Sequence, residues 1–283
     1  MLALHRHFRL MLALAGVLAA AAPTAARAQG KLEAHYTATL AGIPIGKGTW
    51  VIDITDTRYM ASATGSTTGL IRAFIGGQGT SAAHGTLQAG RPQSSTYTAT
   101  IVSGQKTDEV SLTVNNGNVK DFKADPPLDT DPERVPITEE HQKGILDPMT
   151  ASLMRTPGSG DPVSQEACQR KMAIFDGRYR YNLEMSFKRM DKVKADKGYA
   201  GPVVVCAVIF EPIAGHIPSR SAIKYIAKLR DMEVWLAPIA GTRVLVPFRA
   251  QAPTPVGNAV LEAIQFVSAL IPTRASANGV KSE

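Results

Sequence analysis

From Leu32 onward the chain alternates apolar and polar residues with a period of two. Leu32, Ala34, Tyr36, Ala38 and Leu40 share one side of an extended segment, and Glu33, His35, Thr37 and Thr39 share the other. Successive side chains of a strand point to opposite faces, so this pattern marks a strand with one buried face. A turn is expected at Gly42, Ile43 and Pro44, after which Gly48, Trp50, Ile52 and Ile54 repeat the alternation. Further strands are expected near 59–67, 78–87, 95–103, 109–114 and 118–122, the last two joined by a hairpin turn at Asn116-Gly117. The strictest alternation runs from Tyr179 through Tyr181, Leu183 and Met185 to Phe187. An earlier strand, 168–175, joins it through Asp176-Gly177, which places Ile174 opposite Tyr179 and Met172 opposite Tyr181. A third strand is expected at 203–210, with later ones at 233–236 and 243–250; 259–270 suits helix or strand.

Three segments break the pattern. The prolines between 126 and 136 mark a connection without periodicity. In 147–154, Asp147 is an N-cap candidate, Pro148 occupies the first helical position, and spaced apolar residues follow. This predicts a short helix packed over the sheet or plugging one end. Leu70, Ile71, Phe74 and Ile75 form an apolar patch fenced by Gly69 and Gly76. Such a patch packs as core or as a loop closing the barrel end, or else admits an apolar ligand. The expected fold is all-β: an antiparallel β-barrel or strongly coiled single sheet with one short helix and a disulfide.

The first residues carry a different signal. His5, Arg6, His7 and Arg9 precede an apolar run from Leu10 to Ala22, and Ala26-Arg27-Ala28 stands before Gln29. Basic start, short apolar run and small-x-small site together describe a secretory signal peptide over 1–28. Residues 29–273 are then expected to form one all-β domain and 274–283 a flexible tail, in a periplasmic protein that does not span the membrane. The formal charge of +7 falls to about +4 on cleavage, a modest value for a chain of this length. Lys188, Arg189, Lys192, Lys194 and Lys197 alternate with Asp191 and Asp196 and read as a solvated hairpin loop. Weak contact with anionic lipid or polysaccharide is the other reading. Interleaved aromatics are missing there, which argues against nucleic acid.

Cys168 and Cys206 are the only cysteines, and in an exported chain they are expected to pair. A plain meander would separate them by two strand spacings, about 9.5 Å, beyond disulfide reach. Either Cys168 curls away from its strand, or the sheet closes and joins the two across its interior. The second reading is favoured and points to a barrel.

Chemistry-bearing motifs are sparse. His35, His84, His141 and His216 lack the short spacing of a zinc site and read as surface or turn residues. The chain carries no Gly-x-Ser-x-Gly elbow, and its glycine pairs read as bends of a curved sheet. No cofactor or metal is expected.

Several further segments carry a family resemblance: Gly69-Leu70, Asp125-Pro126-Pro127, Arg134-Val135-Pro136, and Leu146 through Ala151. To these add Cys168, the run from Phe175 to Tyr181, Cys206, and Val234-Trp235-Leu236. Across about 32–268 the chain resembles the bacterial domain-of-unknown-function family numbered 3108, found in exported proteins of alphaproteobacteria. The resemblance implies a periplasmic β-barrel-like fold and no established activity; likeness to curved-sheet carriers of lipids and lipoproteins is analogy, which does not transfer function. The leading expectation is a non-enzymatic envelope module holding a lipid, acyl or lipoprotein ligand that enters near Leu70, Ile71, Phe74 and Ile75. A periplasmic hydrolase of envelope glycan or peptide is the alternative, with Asp53, Glu184, Glu211 and His216 as its candidates. A module that docks another envelope protein by strand addition is the third.

Overall fold

The computed structural model describes residues 29–68 and 76–270. The apolar patch at Leu70, Ile71, Phe74 and Ile75, the expected signal peptide and the expected tail lie outside the described residues, apart from a patch neighbour, Gly76.

The first half is a meander: β1 (Gly30–Leu40), β2 (Ile43–Ile54), β3 (Arg58–Thr67), β4 (Gly77–Gln88), β5 (Arg91–Ser103), β6 (Lys106–Asn115) and β7 (Asn118–Asp125). The second half holds α1 (Pro148–Ala151), β8 (Met154–Arg155), β9 (Arg170–Phe175), β10 (Arg180–Lys194), β11 (Lys197–Gly198), β12 (Ala200–Ala214), α2 (Ser221–Ile226), β13 (Met232–Pro238), β14 (Val244–Thr254) and β15 (Gly257–Leu270). All the strands belong to one coiled sheet in the order β7-β6-β5-β4-β3-β2-β1-β15-β14-β13-β12-β10-β9, with β8 added beside β14 and β11 beside β15. The pairing of β1 with β15 joins the two halves. The ambiguous segment at 259–270 is thus a strand, and α2 is a second short helix beside the one expected.

The sheet coils, and among the described residues no strand pair closes it. Between its ends, Ile145 N–H donates to Gly117 O, and Leu146 exchanges backbone hydrogen bonds with β9. Phe122 of β7 stacks edge-on against Phe175 of β9 at 5.4 Å, and Arg178 pairs with Asp108.

α1 is the expected plug. Its cap Asp147 is fully buried; Oδ1 accepts from Met149 N–H and Thr150 N–H, and Oδ2 accepts from the hydroxyls of Ser94 and Thr150. Tyr59 from β3 contacts the Thr150 hydroxyl, so the plug is tied to β3 and β5. Met149 and Leu153 complete the main core with Leu32, Ile52, Tyr97, Leu112 and Phe248.

Cys168 and Cys206 form the disulfide, with Cα atoms 5.4 Å apart. The route differs from the favoured one. Cys168 ends a tight 3-10 turn (Gln165–Cys168) ahead of β9, and β9 pairs with β10 only as far as Arg170↔Met185. Cys168 has therefore left its strand and crosses the face of β10 to reach Cys206 on β12; sheet closure is not needed.

Three other expectations shift. Asp176 Oδ1 accepts from Arg178 N–H and Tyr179 N–H, so the connection is four residues long. Ile174 faces Tyr181 and Met172 faces Leu183, two residues from the expected register, which preserves every face. The charged run is strand rather than loop: β10 continues to Lys194, and a bulge between Phe187 and Arg189 changes its phase. The first hairpin turns at Ala41 and Gly42, both with positive φ (50° and 81°), and Ile43 and Pro44 already lie in β2.

Candidate functional site

Five adjacent strands build an apolar pocket of about 440 Å³. The register sets its floor. Met185, Val208 and Met232 form one row across β10, β12 and β13. Val234, Ala250 and Leu261 form the next across β13, β14 and β15, and Ala252 with Ala259 forms a third. Alanines on the floor leave volume that larger side chains would fill. The walls come from Met154 after the plug, from Leu183, and from Ala38 and Ile45 of the first hairpin. Met154, Met185 and Met232 are unbranched and polarizable, so they adapt to ligands of different shape. Leu261 is 42% exposed beside the pocket, which is otherwise lined by buried or half-buried apolar groups.

Four polar residues also line this pocket: Thr39, Ser152, Glu233 and Gln251. Glu233 is paired with Lys188 at 2.5 Å and Arg189 at 2.9 Å, and those cations hold its carboxyl below the usual range. Gln251 accepts from Arg249, which also pairs with Glu262. On the opposite face of β13, Trp235 lies beneath the guanidinium groups of Arg189 and Arg249 at 5.3 and 5.0 Å.

A larger depression of about 610 Å³ has another character. Thr49, Thr64, Thr80 and Thr100 follow one another in register from β2 to β5 beside Lys47 and Gln78. It is an open, hydroxyl-lined sheet face without a buried polar group directed into it.

Of the hydrolase candidates, Glu184 and Glu211 come together, around a shared lysine on an exposed surface. Asp53 on β2 pairs with Lys31, both about half exposed. Glu184 and Glu211 both reach Lys171, at 3.8 and 3.1 Å, on an exposed surface. Asn182 and Lys171 hold Glu211 below the usual carboxylate range, opposite to the shift a general acid needs. His216 is a buried turn residue rather than a surface one, and burial lowers its pKa. Its Nδ1 is buried without a partner. Among the described residues no group of three His, Cys, Asp or Glu side chains is placed to hold a metal.

Sequence reasoning did not find the methionine-lined pocket. Its residues are single alternate positions on several strands, each ordinary by itself, whereas the glycine-fenced patch stood out as a run. The available signal was the pairing of methionine and alanine positions across strands whose order was unknown.

The chain matches a beta-barrel-like protein of domain of unknown function DUF1849 from Brucella abortus, seen by crystallography. That match has 6% identity and a TM-score of 0.43, and covers 87% of this chain and 98% of the other. No curated protein matches the chain. The family model described as protein of unknown function (DUF3108) matches residues 35–264, and the chain belongs to that family.

Proposed function

We propose that this chain is an exported cell-envelope protein that binds the acyl part of a lipid or lipoprotein without catalysing a reaction. The methionine-lined pocket carries the reading. At about 440 Å³ it falls within the common range of small-molecule sites, roughly 300–1,000 Å³, and its lining is apolar over most of its extent. The proposed ligand site is thus the β10–β15 face; the glycine-fenced patch lies outside the described residues. Hydrolysis is less favoured because its candidate acids are exposed and ion-paired rather than gathered in a polar cleft. Strand addition is less favoured because one terminal strand, β7, carries Lys120, Asp121, Lys123 and Asp125, and the outer side of the other, β9, is bonded to Leu146.

Native mass spectrometry of the purified protein, followed by organic extraction, tests the reading. An acyl species is expected to co-purify and to be lost in Leu261→Asp, with circular dichroism checking that this change at a half-exposed position leaves the fold intact. A dansyl-labelled fatty acid should bind wild type and be excluded by Ala252→Leu. A ligand-free mass together with no binding of that probe overturns the proposal.

A further inference from the structure

The 150–155 segment has the apolar pocket against Ser152 and Met154 and a second hollow against its other residues. Thr150, Ala151, Leu153 and Arg155 line a separate cavity of about 310 Å³, into which Arg91 and Arg170 also converge. Each arginine stands at an element end: Arg91 opens β5, Arg155 closes β8 and Arg170 opens β9. Tertiary contacts bring them together. The turn before β5 passes so close to Arg155 that a Cβ on Gly90 would lie 2.4 Å from its Nε. Arg170 Nη2 donates to the Arg155 carbonyl at 3.1 Å.

What these guanidinium groups lack is a counter-charge. Arg134, Arg178, Arg189 and Arg249 each pair with a carboxylate. Among the described residues no acidic side chain lies within ion-pair distance of Arg91, Arg155 or Arg170. The carboxylate that lines the cavity, Glu166, is exposed, and Ser164 and its own turn hold it below the usual carboxylate range. Arg170 Nε is buried with no hydrogen-bond partner. Burial and the neighbouring Arg91 charge both pull its pKa below the usual guanidinium value. Gathering unpaired like charges in a partly desolvated cavity costs free energy, and leaving a buried donor unsatisfied costs more. A bound anion would offset both.

We propose that Arg91, Arg155 and Arg170 form a binding site for a phosphoryl group, either on a small phosphate compound or on a lipid headgroup. A phosphate carries about −1.5 to −2 charge at pH 7 with oxygens to accept from several guanidinium forks. A single carboxylate would leave more of the triple charge uncompensated. The site is independent of the apolar pocket.

Calorimetric titration of the purified chain with inorganic phosphate, in low-salt buffer free of other multivalent anions, is the first arm. Sedimentation with phosphatidylcholine vesicles, with and without phosphatidic acid, is the second. Binding in either arm should weaken at least tenfold in Arg91→Gln and Arg155→Gln. It should be unchanged in Arg230→Gln, which removes an exposed charge beyond α2. Binding of free phosphate identifies a soluble ligand; binding of phosphatidic acid vesicles alone identifies a headgroup. Arg91 is exposed, so its variant stays informative if Arg170→Gln does not fold. The proposal is overturned if neither probe binds, if the Arg91 and Arg155 variants bind like wild type, or if Arg230→Gln loses as much.

Discussion

Strands β2 to β5 and strands β12 to β14 belong to one sheet and differ in what covers them. In the first group burial alternates: Ile52, Ala61, Ala83 and Tyr97 face the core, while Met60, Thr80 and Thr98 on the other face meet solvent. In β12, by contrast, Val203, Val204, Val205 and Cys206 are all fully buried. Val203 and Val205 join the main core, and Val204 and Cys206 join a second one with Leu236, Leu245 and Met185. The second core exists because the chain between β7 and β9 contributes a plug, a short strand and the cystine turn as an outer layer. Irregular segments therefore convert half of a one-faced sheet into a two-faced one, and both proposed sites lie where that layer meets the sheet.

Variants on the two halves test the comparison. The largest effect is expected from removing the cystine that fastens the outer layer. With 38 residues separating Cys168 from Cys206, the loop-entropy model gives about 4 kcal/mol. Urea unfolding of the Cys168→Ala, Cys206→Ala double variant measures it, and a loss under about 1 kcal/mol would show that the layer holds without it. Next comes Leu236→Ala in the doubly covered region, expected to cost roughly 3 kcal/mol because the cavity cannot collapse from either side.

Asp147→Asn probes the plug that both halves share, at about 2 kcal/mol near neutral pH, since one oxygen acceptor is replaced by a donor among four donors. Burial is the largest influence on Asp147 and raises its pKa. The native state then holds this proton more tightly than the unfolded chain. The contribution is full below the unfolded value and is lost as pH rises through the folded one. The stability of wild type relative to Asp147→Asn should therefore fall across that rise; an increase would show that the four donors outweigh burial. The smallest effect belongs to the open face: Thr98→Ala should stay within about 0.5 kcal/mol of wild type.

The alternation from Leu32 to Leu40 and from Tyr181 to Met185 placed strands because a half-buried strand must repeat every two residues. Asp147 and Pro148 marked the plug's start, since a cap and a fixed φ act within a few residues. An error of two residues at the Asp176 turn was invisible in the faces, because it leaves every side chain on its own side.

The sequence by itself determined these local facts: strand segments, the Asn116-Gly117 turn, the helix cap and the partnership of the two cysteines. Only the tertiary structure decided the order of strands, the path by which Cys168 crosses β10, and the convergence of Arg91, Arg155 and Arg170. Periodicity and capping are set by neighbours along the chain, whereas a pocket is set by which strands pair. That choice depends on contacts between residues far apart in sequence, and no single segment encodes it.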